Sequence, residues 1–314
     1  MKLILPNYVR PFLEPHLPRD AQATWYAGGA EAMVAVKDAE IAWLDILGPP
    51  GMDAVVEAGV ELRWVSTALA GLTGWPLARM AQRRLTVTNG AGVNAIPVAE
   101  FAVMGLLAMA KGLPQLIGWQ AEKVWAPRAA GTAELFETKA LIIGFGAIGR
   151  EIGKRLQGFG VQVTGVRRGG SGGEPGVIGP DDWRPRLGEF DWVVIAAPGT
   201  EETRHLIGAA ELAAMRPSAY LANIARGTLV DQGALVSAMR EGRLAGALLD
   251  VTEPEPLPAD DPLWTTPGII VTGHVSGRSQ TRMPERASAL FLDNLARYRE
   301  GQQMRNLVDL KLGY

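Results

Sequence analysis

Three polar residues in the second half of the chain have the types and placement to hold an anion and move a proton: Arg226, Glu255 and His274. Arg226 follows the apolar run 220–224, Glu255 follows 247–251 and His274 follows 269–272. If those runs are neighbouring strands, all three emerge at carboxyl ends, where ligands bind in open α/β sheets. An arginine fork there suits a substrate carboxylate and carbonyl together. A carboxylate beside an imidazole fixes the ring and favours its charged form, equipping it to give a proton to a ketone and take it back from an alcohol. Singly, Arg226 could cap a helix, Glu255 could be a solvated loop acid and His274 a core histidine; joint placement at three strand ends makes them one candidate set. His16 and His205 lack that context and read as surface or loop residues.

Acid/base chemistry on a ketone needs a hydride source, and a glycine loop provides for one. Gly144-Phe145-Gly146-Ala147-Ile148-Gly149 follows the apolar run 140–143 directly and opens a helical pattern over 148–156. Gly144 permits a tight turn, Gly146 lets backbone approach a pyrophosphate, and Gly149 lets helix pack on strand with its N-terminus facing the anion. The next run, 161–166, ends in Arg167-Arg168, where an NAD enzyme places an acid for the ribose hydroxyls. Two guanidiniums bind a 2′-phosphate instead, so NADP(H) is expected in preference to NAD(H), which remains possible. The alternative is a solvated basic pair at a strand end.

The elements that must position these groups follow from the apolar periodicity. Runs at 3–5, 23–26, 40–44, 62–66 and 85–88 predict a first parallel α/β layer. A second series at 140–143, 161–166, 192–197, 220–224, 247–251 and 269–272 predicts a doubly wound sheet of six strands. The stretch 96–113, with Pro97 near its start and Gly112 near its end, predicts one buried helix between domains rather than a membrane span. A helix over 284–298 has no strand after it and could return to the first layer. The fold class expected is α/β with two domains: a smaller flavodoxin-like substrate domain (1–95 with 280–314) and a Rossmann-type coenzyme domain (96–279). Residues 171–176 read as a surface loop, and Trp119 and Trp125 as packing residues.

Composition narrows the function classes. The 314 residues carry 31 Lys plus Arg against 33 Asp plus Glu, so a net charge of −2 gives no reason to expect nucleic acid or an anionic membrane as partner. There is no cysteine, which removes disulfides and thiolate chemistry, and with three histidines no metal site is expected. The short apolar start is no signal peptide, so a cytoplasmic location is expected.

Taken together, these segments resemble the D-isomer-specific 2-hydroxyacid dehydrogenase family. The likeness runs from about Ser66 to Leu295 through Val87-Thr88-Asn89, Val98-Ala99-Glu100, the glycine loop, 223–227, Leu249-Asp250-Val251, Glu255-Pro256-Leu257-Pro258, Pro262-Leu263-Trp264 and His274. The resemblance implies Arg226 as substrate-binding arginine, Glu255 as the acid supporting the histidine and His274 as acid/base. It implies Leu69, Ala70 and Gly71 as the loop receiving the substrate carboxylate, with Arg226 and His274 also touching substrate. The cofactor site it implies comprises Gly144, Gly146, Ala147, Ile148, Gly149, Arg167, Arg168, Ala197, Pro198, Thr203, Ile224, Ala225, Asp250 and Gly277. Closure of the two domains would exclude water, and a homodimer is implied.

Three positions depart from the family pattern: Gly273 in place of the proline before the histidine, the region of Thr73 in place of an aspartate, and Arg167 in place of aspartate. The segment 45–50 lacks the arginines of phosphoglycerate-specific relatives, which disfavours a phosphorylated substrate. Glyoxylate/hydroxypyruvate reductases are the nearest in character, so reduction of a small 2-keto acid by NADPH is expected. Two alternatives stand beside it: an NAD(P)-dependent dehydrogenase for a bulkier 2-hydroxy acid, with Leu44, Ile46, Leu47, Leu69 and Trp75 lining an apolar pocket, or a nucleotide-sensing binding protein like the corepressors that share the fold.

Overall fold

Successive residues of a strand face opposite sides of its sheet, and here both sides are buried, which is why the strand sequences read as near-continuous apolar runs. The computed structural model describes residues 1–45, 51–72, 74–170, 172–278 and 280–311. The chain divides into two units, Met1–Asn94 with Gln280–Tyr314, and Ala95–Ser279.

In the first unit, β1 (Lys2–Pro6), β2 (Gln22–Tyr26), β3 (Ile41–Trp43), β4 (Trp64–Ser66) and β5 (Thr86–Thr88) form a parallel sheet in the order β2-β1-β3-β4-β5. Ile4, Ala42 and Val65 face one cluster with Val55, Val56 and Met80. Leu3, Leu5, Trp43 and Trp64 face the other, onto which the helix Met283–Arg299 lays Phe291. Phe291 stacks on Trp64 with centroids 5.1 Å apart and planes at 14°. Offset stacking of this kind adds about 1 kcal/mol to the burial itself.

In the second unit, β6 (Lys139–Ile143), β7 (Gln162–Val166), β8 (Val177–Ile178), β9 (Trp192–Ile195), β10 (Tyr220–Asn223), β11 (Gly246–Leu249) and β12 (Ile269–Val271) form a parallel sheet. Its order is β12-β11-β10-β9-β6-β7-β8, so chain direction reverses its walk between β6 and β9. The crevice at the carboxyl ends of those two strands is the topological switch point where a doubly wound sheet binds ligands. Six strands are legible from apolar runs; the seventh, β8, is a two-residue strand inside a Gly- and Pro-rich segment.

The helix expected over 96–113 spans 95–110, and a second helix, unread in the sequence, follows it. Ala95–Ala110 ends before Gly112, whose φ of 64° is left-handed, and Leu113–Ala121 leaves at a 68° bend. The first helix belongs to the second unit and lies on β11: a Cβ on Gly105 would meet Leu248 Cδ2 at 2.2 Å. Among the described residues no single helix is long and apolar enough to cross a membrane. Leu113–Ala121 has no buried residue, and Trp125 beyond it is 93% exposed, so Trp125 is not the packing residue expected.

Candidate active site

Parallel strands deliver the residues after them to one edge, and β10, β11 and β12 are consecutive neighbours in the second sheet. Asn223, fully buried at the end of β10, closes the turn after it: its Nδ2 donates to Arg226 O at 2.8 Å and its Oδ1 accepts from Ala225 N at 3.1 Å. The turn leaves Arg226 exposed, with Nη1 donating to Ala225 O at 2.7 Å. Gly227 allows the β10 and β11 loops to touch, since a Cβ there would lie 2.0 Å from the Thr252 carbonyl.

Glu255 leaves the β11 loop and His274 the β12 loop, and Glu255 Oε2 lies 2.8 Å from His274 Nδ1. The second carboxylate oxygen accepts from Thr252 N at 3.1 Å, so the group is held from both sides. With Nδ1 engaged, Nε2 is the nitrogen left to exchange a proton with a substrate. His274 adopts a φ of 57°, an uncommon conformation for a residue with a Cβ. Asp250 holds it there: Asp250 O accepts from His274 N at 2.5 Å, Oδ1 accepts from Thr272 Oγ1 at 2.7 Å and Val275 N at 3.0 Å, and Oδ2 accepts from Ser276 N at 3.2 Å. Asp250 is fully buried, so its carboxylate works on this loop.

One brace escaped the sequence reading. Gln232 Nε2 donates to Glu253 O at 2.7 Å and Gln232 Oε1 accepts from Glu253 N at 2.8 Å, fixing the loop that carries Glu255. Arg204 adds a two-pronged ion pair to Glu253 at 3.1 Å. No local pattern announces either, because the partners lie 21 and 49 residues away.

The glycine loop sits at the switch point. Gly144, with φ of 99°, approaches the Ala196 and Ala197 backbone so closely that a Cβ would lie 2.4 Å from both. Gly149 packs on Gly144 O, 2.3 Å from where its Cβ would be, whereas a Cβ on Gly146 would meet nothing within 4 Å. Two glycines are therefore required by the protein's own packing, and the third faces open space where a ligand backbone can approach. Ala147 and Ile148 open the helix Ala147–Gly158, whose N-cap Gly146 makes no side-chain cap and so leaves first-turn amides for an anion. These features fit a dinucleotide pyrophosphate.

The remaining cofactor candidates border the same edge. Ala197 and Pro198 follow β9, and Thr203 Oγ1 ties that loop back by donating to Pro198 O at 2.8 Å. The side chains of Ile224 and Ala225 are buried in the core, leaving their backbone for ligands. Gly277 lies in the turn following Ser276. Arg167 and Arg168 are exposed just beyond β7. His16 and His205 are exposed.

In the first unit, the loop Leu69-Ala70-Gly71 leaves β4. Asp45 fixes its start, accepting at Oδ1 from Thr67 Oγ1 at 2.7 Å and Ala68 N at 2.9 Å, and at Oδ2 from Trp43 Nε1 at 3.0 Å and from the Tyr8 hydroxyl. Asn89 Nδ2 donates to Ala70 O at 2.8 Å, and Gly90 N donates to Leu69 O at 2.8 Å. So anchored, Ala70 and Gly71 present amides that donate to no acceptor among the described residues. Leu44 is fully buried in the core of this unit. Ile46, Leu47 and the rest of 46–50, and Thr73, lie outside the described residues.

Comparison with known proteins shows the family. Residues 103–276 match the family described as D-isomer specific 2-hydroxyacid dehydrogenase, NAD binding domain. A glyoxylate reductase of Korarchaeum cryptofilum is 34% identical over 285 residues, covering 87% of this chain and 84% of that one. The chain belongs to the D-isomer-specific 2-hydroxyacid dehydrogenase family. It is thus an NAD(P)-dependent oxidoreductase with a nucleotide-binding domain of the family type. A family member from Aeromonas salmonicida has a TM-score of 0.84 at 29% identity, with 98% of each chain covered. An NADPH-dependent glyoxylate/hydroxypyruvate reductase of Sinorhizobium meliloti, solved with NADP and malonate, has a TM-score of 0.74 at 26% identity, covering 99% of this chain and 98% of that one.

Proposed function

We propose that the protein reduces a small 2-keto acid of the glyoxylate or hydroxypyruvate type to the D-2-hydroxy acid, with NADPH as preferred reductant. The observation that carries the reading is the 2.8 Å contact between Glu255 and His274 on loops beside the one bearing Arg226. Bound reduced nicotinamide supplies a hydride to the keto carbon. Arg226 holds the carboxylate and polarises the carbonyl, His274 donates a proton from Nε2 to the carbonyl oxygen, and Glu255 stabilises the imidazolium and keeps the ring aligned. The amides of Ala70 and Gly71 receive the substrate carboxylate, as oriented backbone donors do. Arg167 and Arg168 favour the 2′-phosphate, and the relatives described as glyoxylate reductases support the substrate class. A pair poised for proton transfer favours catalysis over nucleotide sensing.

A panel of 2-keto acids assayed with NADPH and with NADH tests the reading. Highest kcat/KM for glyoxylate or hydroxypyruvate with NADPH is expected; a clear NADH preference, or turnover confined to branched keto acids, refutes it. The proposal includes a homodimer built on the exposed apolar residues Leu116, Ile117, Val124 and Trp125, with a second copy of the chain as their cover. Light scattering that reports only monomer at micromolar concentration refutes that part.

A further inference from the structure

The seventh strand, unread in the sequence, has a chemical consequence. β8 pairs with β7, with Gly165 N donating to Gly176 O at 2.8 Å and Arg167 N donating to Ile178 O at 3.1 Å. This pairing brings the preceding loop, and Glu174 on it, back to the carboxyl end of β7. Glu174 there forms a two-pronged ion pair with Arg150, one prong being Arg150 Nη2 to Glu174 Oε2 at 2.7 Å. Arg150 stands in the first turns of the helix that the glycine loop opens, and its guanidinium lies 5.0 Å from the Phe145 ring of that loop. The hydrogen-bonded Arg150 guanidinium, with a smaller contribution from Arg167, holds the Glu174 carboxyl below its ordinary value. One carboxylate thus pairs with a cation of the glycine-loop helix and lies within the field of the cation at the strand end.

Resting on the NADPH reading, we propose that Glu174 is an internal stand-in for the adenosine 2′-phosphate, competing with it for Arg150 and Arg167 and thereby setting how sharply the enzyme separates NADPH from NADH. A phosphate monoester and a carboxylate make the same bidentate pairing with a guanidinium, so the two anions compete for the Nη1–Nη2 edge of Arg150 that Glu174 occupies. NADPH binding requires the Glu174 contact to open, and its unpaired carboxylate then faces the phosphate as a like charge. NADH leaves the contact intact. Glu174 is a specificity-determining residue acting through Arg150 and Arg167, not a catalytic one.

The test compares wild type, Glu174→Gln and the double variant Arg167→Ala/Arg168→Ala. The readouts are the ratio of kcat/KM for NADPH over NADH and the inhibition constants of 2′,5′-ADP and ADP. Glu174→Gln is expected to raise the ratio about three- to tenfold and to tighten 2′,5′-ADP by a similar factor against ADP, the scale of relieving one partly exposed charge competition. An unchanged ratio and unchanged 2′,5′-ADP inhibition overturn the role of Glu174, even where wild type prefers NADPH and the arginine double variant loses that preference. A wild type that prefers NADH refutes the cofactor reading separately; Glu174→Gln then upholds the competition if it shifts the ratio towards NADPH through tighter 2′,5′-ADP binding. Loss of NADH and ADP binding in Glu174→Gln overturns the proposal, because the carboxylate would then be holding the ribose hydroxyls.

Discussion

Asp250 and His274 are tied through the main chain, the His274 amide donating to the Asp250 carbonyl at 2.5 Å while the Asp250 carboxylate accepts from the residues on either side. The residue proposed to transfer the proton is therefore set by a buried acid on the neighbouring strand end, with His274 held at a φ of 57°.

Replacing that acid by its amide isostere separates shape from hydrogen bonding. In Asp250→Asn, one oxygen still serves Thr272 and Val275, but the new amide nitrogen faces the Ser276 N–H, donor against donor. We expect a loss of stability of about 1–3 kcal/mol and a fall in kcat of about 10- to 100-fold from a displaced imidazole. Chemical denaturation and steady-state kinetics measure the two; wild-type values for both contradict the arrangement.

Glu255→Gln keeps the volume and the Thr252 amide contact but removes the charge that stabilises the imidazolium. A decrease in kcat of about 100-fold is expected, in the range of a general acid that has lost its support. Nucleotide affinity, read by fluorescence titration, stays within about twofold because the change is remote from the phosphate loop. His274→Ala and Arg226→Ala are expected to abolish keto-acid reduction under the same conditions while still binding nucleotide.

Two of the loop glycines fail for different reasons. Gly144→Ala places a Cβ 2.4 Å from backbone atoms at a φ of 99°, so a destabilisation of about 2–4 kcal/mol is expected. Gly146→Ala meets no protein atom within 4 Å; its melting temperature stays at the wild-type value while the KM for nucleotide rises about tenfold through lost backbone approach. Equal melting temperatures for the two variants would contradict this division.

Asp45 organises the loop read as the carboxylate site through four donors. Asp45→Asn turns an acceptor into a donor facing either the Trp43 indole or the Ala68 amide. The KM for keto acid is expected to rise about fivefold, the effect of one spoiled buried hydrogen bond, with the KM for nucleotide unchanged. A change in the nucleotide constant alone would put the loop elsewhere in function.

Much of this was legible in the sequence, for identifiable reasons. The apolar runs of both parallel sheets are continuous because both faces are buried, and the glycine loop and strand-end residues are local signals. What escaped was non-local or too short to be periodic. β8 is defined by its partner β7; its two residues, Val177 and Ile178, carry no alternation. The helix Leu113–Ala121 beyond the left-handed Gly112 buries none of its residues, so no core-facing pattern announced it. Gln232 and Asp45 look like ordinary surface residues until distant chain folds against them.

Trp125 also makes the molecule optically heterogeneous. Its indole is 93% exposed, while Trp43, Trp64, Trp183 and Trp192 are at most 1% exposed. Excited together, the buried indoles emit from an apolar surround and escape iodide, whereas Trp125 emits as in water and is quenched in full, and Trp264, 48% exposed, in part. The protein thus carries its own reporter of whatever covers that segment: association there would shift the emission to the blue and protect a quenchable fraction, with no label attached.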